Sequence, residues 1–448
     1  MGGSTGLLLV LFAAIAVIVV LIVKVKVHAF LALLAACFVV GLGTGMPLSG
    51  IVSSFEKGMG DTLGFLAAII GLGSILGKML EESGGAERIA QTLLSSLGHQ
   101  RASWVMMMVG FIAGIPVFFE VGYVLLIPLV YVVARETKIN LLYLGVPLAV
   151  SLMTVHCMLP PHPAATAITG MLGADIGKVI LYGLIVGLPT AIIAGPVWIK
   201  LSCVRAAPSD QDAFIAERCD PLAEGRALPG FGLTLFTILL PLLLMVMKTL
   251  AAGLPKETVA AQTISFLGNP LTALTIAVVF AYWSLGLRRG STMEDLQQAT
   301  QRCFPPLAGI LLIIGAGGAF NGMLIDSGIG KVLAAELART SLSPIFLAWL
   351  VAGLMHFAVG SATVAMISAA GMVTPLLAGA PGISREIMVI AIGSGAIGWT
   401  HVTDSAFWVV KEYLGVPLPD ALKKFTGGTI LASVVSLGLI LVLSHIVP

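Results

Sequence analysis

The chain has 448 residues, of which 58% are hydrophobic and only 10% are charged, and its mean hydropathy is +1.05. Soluble domains carry about 25% charged residues, so the composition excludes a water-soluble enzyme and indicates a membrane protein. The net charge of +2 is uninformative for a membrane chain, but the sequence lacks a basic stripe interleaved with aromatic residues, so we expect no nucleic-acid partner. Five scattered cysteines contain no CxxC pair, so we expect neither a disulfide framework nor a bound metal.

Apolar segments of bilayer-spanning length recur along the whole chain. Ten of them are predicted to be transmembrane helices, near residues 4–23, 29–48, 61–80, 141–158, 178–200, 230–248, 269–287, 305–324, 385–408 and 428–446. Two further stretches, 103–134 and 343–374, are too long for one helix of about 20 residues and too short for two membrane-spanning helices with a turn. Because their middles are polar or rich in glycine, we predict re-entrant hairpins, which enter and leave the membrane on one side.

The chain also repeats itself. Residues 69–90 return 244 positions later as residues 313–334, and nine of the 22 aligned positions are identical. The repeat predicts two copies of one unit, residues 1–201 and 230–448, and the polar stretch 202–229 between them is predicted to be a cytoplasmic linker. Duplicated halves in a membrane protein are typical of transporters, whose binding site lies where the halves meet.

The distribution of basic residues predicts an orientation. Five full crossings in each half is an odd number, so the second copy is expected to sit upside down in the membrane. With the N-terminus outside, 17 Lys and Arg residues lie at inner ends and seven at outer ends, as the positive-inside rule favours. We therefore expect an all-α polytopic membrane protein with two inverted-topology repeats, each containing about five transmembrane helices and one re-entrant hairpin.

Polar groups at membrane depth occur in four segments, which pair across the repeat. They are the two hairpin tips, residues 154–163, and residues 400–408. The prolines at 160, 161 and 163 cannot continue a helix, so we predict a break there, and the glycines of Gly393–Gly398 suggest a matching break in the other half. Broken helices at corresponding positions indicate a transport site; the alternative is a pair of kinks in a packed bundle.

Two carboxylates stand out because an ionisable group inside a membrane costs roughly 3 kcal/mol or more. Glu120 lies in the apolar run around the first hairpin tip. Burial disfavours the charged form of a carboxylate, so Glu120 is suited to gain and lose a proton; the alternative is a structural carboxylate with a buried partner. Asp404, flanked by Thr403 and Ser405, has the same two interpretations.

The second hairpin tip contains Gly360, Ser361 and Thr363. If a half-helix starts there, its free amides and the hydroxyls form an anion site without a cationic side chain. The alternative is an ordinary helix N-cap.

Histidines accompany the predicted breaks. His156, His162 and His401 are candidates for proton transfer, because histidine titrates near neutral pH, or for hydrogen bonding to a substrate, and each has the alternative of a satisfied core group. His356, on the apolar arm of the second hairpin, is predicted to be structural.

At these residues the chain resembles the gluconate permease family, and the resemblance covers nearly all of its length. It is carried by sequence blocks at 60–90, 118–129, 155–167, 311–320, 359–366 and 401–413. The resemblance implies proton-coupled uptake of gluconate and related sugar acids across the bacterial inner membrane, and one branch of the family carries D-serine. It also implies inverted repeats and an elevator-like movement. The segment around Thr403, where asparagine is common in gluconate carriers, looks like the D-serine branch.

Together these observations predict a proton-coupled symporter for gluconate or a similar sugar acid, with D-serine or another small hydroxy-carboxylate as the alternative. Sodium coupling, a channel and a membrane enzyme are less favoured. The proton is the coupling ion, no cofactor is expected, and residues 29–46 and 269–287 are candidates for the scaffold and for a homodimer contact in the bilayer. The residues predicted to bind the small anionic substrate are His156, Pro161, His162, Gly360, Ser361, Thr363, His401, Thr403, Asp404 and Ser405, and Glu120 or Asp404 is predicted to carry the proton.

Overall fold

The computed structural model describes residues 4–205, 211–218, 227–251, 254, 255, 257–329, 332, 342–379, 383–402 and 404–447. Every regular element among them is helical, as the composition predicts. The predicted Thr403 and residues 330, 331, 333 and 334 of the second repeat copy lie outside the described residues.

The first half begins with two apolar helices and a long third one. Its helices are α1 Ser4–Val23, α2 Ala29–Gly43, α3 Leu48–Ser83, α4 Gly85–Leu97, α5 Ala102–Gly114, α6 Phe119–Thr137, α7 Leu141–Met158, α8 Pro163–Leu172, α9 Ile176–Ile192 and α10 Trp198–Ser202. The π-helical turn Ile193–Val197 joins α9 to α10. The prediction of one span over 29–48 is wrong at its end, because the chain turns at Thr44 and a new helix starts after Pro47.

The second half also contains long, paired and broken helices. After α11, Gln211–Arg218, in the linker, its helices are α12 Phe231–Leu250, α13 Val259–Leu267, α14 Pro270–Ala281, α15 Met293–Cys303, α16 Pro305–Asp326, α17 Pro344–Val359, α18 Ala362–Gly379, α19 Arg385–Ile397, α20 Ser405–Leu414, α21 Leu418–Ala421 and α22 Gly427–Ile446. Helix α7 begins at Leu141 and α19 begins at Arg385, 244 positions later, which is the spacing of the sequence repeat.

Seven helical segments within the described ranges are long and apolar enough to cross a membrane. They are Thr5–Ile22, Leu141–Leu172, Ile176–Ser202, Phe231–Leu250, Pro270–Arg289, Leu307–Asp326 and Leu418–Ile446. An eighth is counted if the two parts of α3, Leu48–Gly64 and Ala67–Ser83, which meet at 40°, form one span. The chain is therefore a multi-pass membrane protein.

Both predicted hairpin stretches consist of two helices with a turn at the middle. Helices α5 and α6 turn at 115–118, and α17 and α18 turn at Gly360 and Ser361. Gly360 has φ +70°, a left-handed conformation that favours glycine, and its N–H donates to the carbonyl of His356. The tip therefore reverses the chain within two residues.

The two broken helices differ in where the break lies. Helix α7 ends at Met158 and α8 starts at Pro163, so the prolines interrupt the helix where the sequence predicts. In the other half α19 ends at Ile397 and α20 starts at Ser405, so the predicted break occurs at Gly398, whereas the helix continues through Gly393–Gly395. These glycines permit close helix packing instead, because a Cβ on Gly393 would lie 2.3 Å from the carbonyl oxygen of Cys157.

The linker holds a short helix against the first half. In α11, the Gln211 side chain donates from Nε2 to the Ile139 carbonyl at 2.9 Å and accepts from the Leu141 N–H at 2.8 Å. It thereby satisfies two backbone groups that the turn between α6 and α7 leaves free.

Candidate functional site

A cavity of about 290 Å³ lies where the two hairpin tips meet the two helix breaks. The hairpin tips contribute Phe118 to Glu120 and Ser361 to Val364, and the breaks contribute Pro163 and Asp404 to Ala406. Six of the predicted site residues line it together: Glu120, His156, Ser361, Thr363, Asp404 and Ser405. Residues that are as much as 285 positions apart in sequence therefore share one small space.

Four helices begin at this cavity. Their first residues are Phe119 of α6, Pro163 of α8, Ala362 of α18 and Ser405 of α20, and each of these residues lines the cavity. The first amides of a helix have no partner inside the helix, and the helix dipole places partial positive charge at this end. The convergence of four N-termini therefore favours an anion.

The four N-termini are not equally satisfied. In α20 the first turn is capped by Asp404, whose Oδ1 accepts from the Ala406 N–H at 2.7 Å. Ser361 Oγ accepts from the Val364 N–H of α18 at a longer 3.4 Å. Neither α6 nor α8 has a side-chain cap within the described part of the chain. The starts of α6 and α8 therefore have the greatest capacity for a ligand oxygen, and α6 offers one more N–H because α8 begins with Pro163.

Glu120 and Ser405 connect the first hairpin to the second broken helix. Ser405 Oγ donates to Glu120 Oε1 at 3.3 Å, which is a long hydrogen bond and hence a weak one. Since both residues line the cavity, a ligand hydroxyl or a proton has direct access to the Glu120 carboxylate.

The sequence interpretation misses one residue of this site. His356, predicted to be structural, has its Nε2 2.7 Å from Asp404 Oδ2, and its side chain is fully buried. Asp404, which is 4% exposed, therefore has one oxygen on the α20 amide and the other on His356. The available signal was an intramembrane carboxylate that requires a buried partner, but nothing in the sequence selects a histidine 48 residues earlier.

The two histidines of the first broken helix have different positions. His156 lines the cavity, and within the described residues its Nδ1 is buried without a hydrogen-bond partner. The ring of His162 lies 5.1 Å from that of His156, but its Nε2 donates to the Gly114 carbonyl at 2.7 Å. His162 and Pro161 line a separate space of about 10 Å³ beside Gly73. The structure therefore does not bring the predicted residues His162 and Pro161 into the cavity.

His401 and Gly360 are also outside the cavity lining. His401 Nε2 donates to the Phe357 carbonyl at 3.1 Å, and its ring lies 4.7 Å from the Phe357 ring. These contacts hold His401 against the end of α17. Gly360 forms the turn that brings Ser361 to the cavity.

The lining carries two carboxylates and, in the part of the chain that is described, no Lys or Arg side chain. The positive potential that an anion requires therefore comes from backbone amides. A search of the described residues finds no group of three or more His, Cys, Asp and Glu that is arranged to hold a metal ion. The groups available to a ligand are hydroxyls, one imidazole, amides and carboxylates.

Comparison with known proteins shows to which family the chain belongs. A family model described as GntP family permease matches residues 6–446. The chain belongs to the GntP permease family. The D-serine transporter DsdX of Escherichia coli strain K12 is 49% identical over 443 residues, which cover 98% of each chain. The gluconate permease of Pseudomonas aeruginosa strain PAO1 is 44% identical over 428 residues, which cover 95% of each chain.

The resemblance that the sequence blocks indicate is therefore confirmed, including its D-serine features, and this GntP permease is a transporter and not an enzyme. Among solved structures, the YdaH transporter of Alcanivorax borkumensis superposes with a TM-score of 0.64 and 16% identity. The match covers 94% of this chain and 99% of that one. At this identity the likeness establishes the fold alone.

Proposed function

We propose that this GntP permease is a proton-coupled symporter that imports gluconate or a closely related small hydroxylated carboxylate across the bacterial inner membrane. The observation that carries the proposal is the cavity in which four helix N-termini meet Glu120 and Asp404. An anion site and a proton site in one small space are what such a symporter requires.

The substrate carboxylate binds at the N-termini of α6 and α18 in this proposal. The start of α6 has no side-chain cap within the described residues, and α18 offers the Ser361 and Thr363 hydroxyls beside its amides. The hydroxyls of a sugar acid then meet His156 and Ser405 on the opposite wall. The Nδ1 of His156 is buried and has no partner in the described ranges, which gives this side chain capacity for a further hydrogen bond.

Proton coupling follows from like charges in a confined space. Two carboxylates near a bound carboxylate repel it, and the repulsion is strong where water is scarce. Neutralising one of them weakens the repulsion, so that proton binding and anion binding favour each other by the same factor. Both Asp404 oxygens already have partners, whereas among the described residues Glu120 has only the long bond from Ser405, and we therefore assign the proton to Glu120.

The geometry also supports an elevator-like movement within two inverted repeats, one of residues 1–201 and one of residues 230–448. Hairpins and broken helices supply every polar group of the cavity, whereas α16 supplies only the apolar Ile310 and Ile313. In this proposal the polar elements move together as one unit along a scaffold that includes α16 and the segments 29–46 and 269–287. Those two segments also form the proposed homodimer contact.

D-serine is the second candidate substrate. Two carboxylates within the same cavity suit an ammonium group as well as a proton, and a D-serine transporter is 49% identical to this chain. A zwitterion places its carboxylate at the helix N-termini and its ammonium at Glu120. Both candidates are small hydroxylated carboxylates, so the anion site is common to them.

Uptake into proteoliposomes tests the proposal. Radiolabelled gluconate is offered with an inward proton gradient, with the gradient collapsed by a protonophore, and with an inward Na⁺ gradient alone. We expect accumulation that requires the proton gradient and that unlabelled gluconate or D-serine inhibits. Accumulation driven by Na⁺ alone would overturn the proton coupling, and uptake that never exceeds equilibrium would indicate a channel.

The Glu120→Gln variant tests the assignment of the proton. We expect it to lose gradient-driven accumulation and to retain exchange of labelled for unlabelled substrate, because the amide keeps the size of the side chain but cannot release a proton. Gradient-driven accumulation at the wild-type level would show that another group carries the proton. Ser405→Ala is the matched control, since it removes the hydrogen bond to Glu120 and leaves the carboxylate in place.

A further inference from the structure

The cavity of about 290 Å³ that contains Glu120 and Asp404 is called the substrate cavity here. A second polar cavity, of about 680 Å³, lies beyond it. Its walls are the N-terminal part of α3, the C-terminal halves of α8 and α16, the end of α12 and the starts of α9 and α14. The orientation that the basic residues favour places all of these helix ends outside the cell. We call this space the outer cavity.

Two helices pass from the substrate cavity to the outer cavity. On α16, Ile313 lines the first and Gly318 lines the second; at 1.5 Å per residue they are about 8 Å apart. On α8, Pro163 lines the first and Thr169 the second, about 9 Å further on. The two cavities are therefore neighbours along one line.

A small apolar cluster separates them. Ile70, Ala167, Ile314 and Ile367 are buried in it, apart from the main core. Phe118 and Ile313, which line the substrate cavity, pack against one side of the cluster, and Met171, which lines the outer cavity, also packs against it. The separation is therefore only a few side chains thick.

Two of the acidic residues of the outer cavity already have partners. Asp326 Oδ2 accepts from Ser54 Oγ at 2.6 Å. Asp175 Oδ1 caps α9 by accepting from the Lys178 N–H at 2.8 Å and also accepts from Thr249 Oγ1 at 2.8 Å. These carboxylates stabilise the protein itself.

Other polar groups of this cavity are uncommitted. Lys57, Lys248 and Asp61 form no hydrogen bond or ion pair with any residue that the structure describes. Asn321 lines the cavity, and its Oδ1 is buried without a partner among the described residues. An unsatisfied buried acceptor is costly, so a hydroxyl donor that draws this amide toward the cavity is favoured. Two ammonium groups, one carboxylate and one amide fit a hydroxylated carboxylate.

We propose that the outer cavity is a second, transient binding site for the transported hydroxylated carboxylate, in which Lys57 and Lys248 receive the carboxylate and Asn321 receives a hydroxyl. The inference rests on the proposed function, since it names a waiting position for the same substrate. When the apolar cluster opens, the substrate moves on to the substrate cavity. The lining also carries the carboxylates of Asp61, Asp175 and Asp326, so the two ammonium groups act on the substrate carboxylate at short range, and salt weakens this attraction.

Gluconate uptake into right-side-out vesicles tests the site in Lys57→Gln, Lys248→Gln and the double variant. In the double variant we expect KM for gluconate to rise about three- to tenfold at low ionic strength with an unchanged maximal rate, and the difference to shrink at high salt. For zwitterionic D-serine the rise is expected to be smaller. Lys178→Gln is the matched control, because this exposed lysine lies at the same end of the molecule and does not line the cavity.

A labelling experiment supplies a readout that does not depend on transport. In a cysteine-free background, Asn321→Cys is labelled with an anionic thiol reagent, and we expect gluconate to slow the labelling. Adding Lys57→Gln is expected to abolish this protection. If gluconate protected the cysteine only by occupying the substrate cavity, the protection would persist in this variant. Absence of gluconate uptake by the wild type would overturn the proposed function together with this site. Normal uptake with KM unchanged in the double variant, or equally raised in Lys178→Gln, would overturn the site alone.

Discussion

In each half a hydrogen bond joins the residue before the second part of the broken helix to the hairpin, but the bonding groups differ between the halves. In the first half, His162 precedes α8 and its ring donates to the carbonyl of Gly114, at the end of the first hairpin arm. In the second half, Asp404 precedes α20 and contacts His356, in the last turn of the corresponding arm. Both contacts join residues that are 48 positions apart.

The difference shows how a duplicated unit divides its work. Each contact fixes the start of a half-helix to its own hairpin, so both halves present an N-terminus to the cavity. Only the second contact is made by two ionisable groups, and only Asp404 lines the cavity. At its break the first half therefore contributes His156 and the start of α8 but no carboxylate, and its carboxylate, Glu120, lies on the hairpin instead.

Removing the carboxylate of the second contact is expected to have the largest effect. Asp404→Ala removes the cap of α20 and leaves His356 buried without a partner, and breaking a buried pair in this way costs about 3 kcal/mol or more. We expect loss of transport and a lower melting temperature in detergent. Asp404→Asn, which can still cap the helix, should recover much of the thermal stability. Equal melting temperatures for the two variants would contradict the capping role.

Exchanging the histidine in each half compares the two contacts directly. His162→Gln keeps an N–H that can reach the Gly114 carbonyl, so we expect KM within about twofold of the wild type. His356→Gln replaces the buried imidazole that contacts Asp404 at 2.7 Å by a more flexible amide, and we expect KM to rise about fivefold, equivalent to about 1 kcal/mol. The measurement is the concentration dependence of gluconate uptake for both variants. Equal KM values for the two variants would remove the distinction between the halves.

The smallest effect is expected at the contact between the halves. Ser405→Ala removes the 3.3 Å hydrogen bond to Glu120, which we expect to contribute about 0.5 kcal/mol. KM is expected to change by about twofold, with proton-driven accumulation retained. Thr363→Ala, at the opposite tip, serves as the comparison. A complete loss of accumulation in Ser405→Ala would mean that the serine belongs to the proton path.

Local chemistry explains what the sequence predicts well. Three prolines within four residues dictate the break before α8, and the polar tips of apolar stretches predict which residues share the cavity, because polar groups at membrane depth require one another. The sequence does not reveal that α19 continues through Gly393–Gly395, because this depends on how closely α7 approaches. His356 was missed for a related reason, since its partner is distant in sequence. His401 was placed at the substrate because nothing in its neighbourhood reveals the Phe357 carbonyl that it contacts.

Helix α3 carries two lysines whose separation is close to the thickness of a bilayer. Lys57, at the outer cavity, and Lys78, which pairs with Glu81 at 2.8 Å, are 21 residues apart on this helix. With the 40° bend between them, the two positions are about 30 Å apart, close to the thickness of the hydrocarbon core of a bilayer. The two lysine side chains are thus separated by about the distance between the two lipid headgroup layers. In a bilayer with much longer acyl chains one of these charges would lie in hydrocarbon, and in a much thinner bilayer the helix would not match the membrane, so membrane thickness acts on the helix that borders the outer cavity.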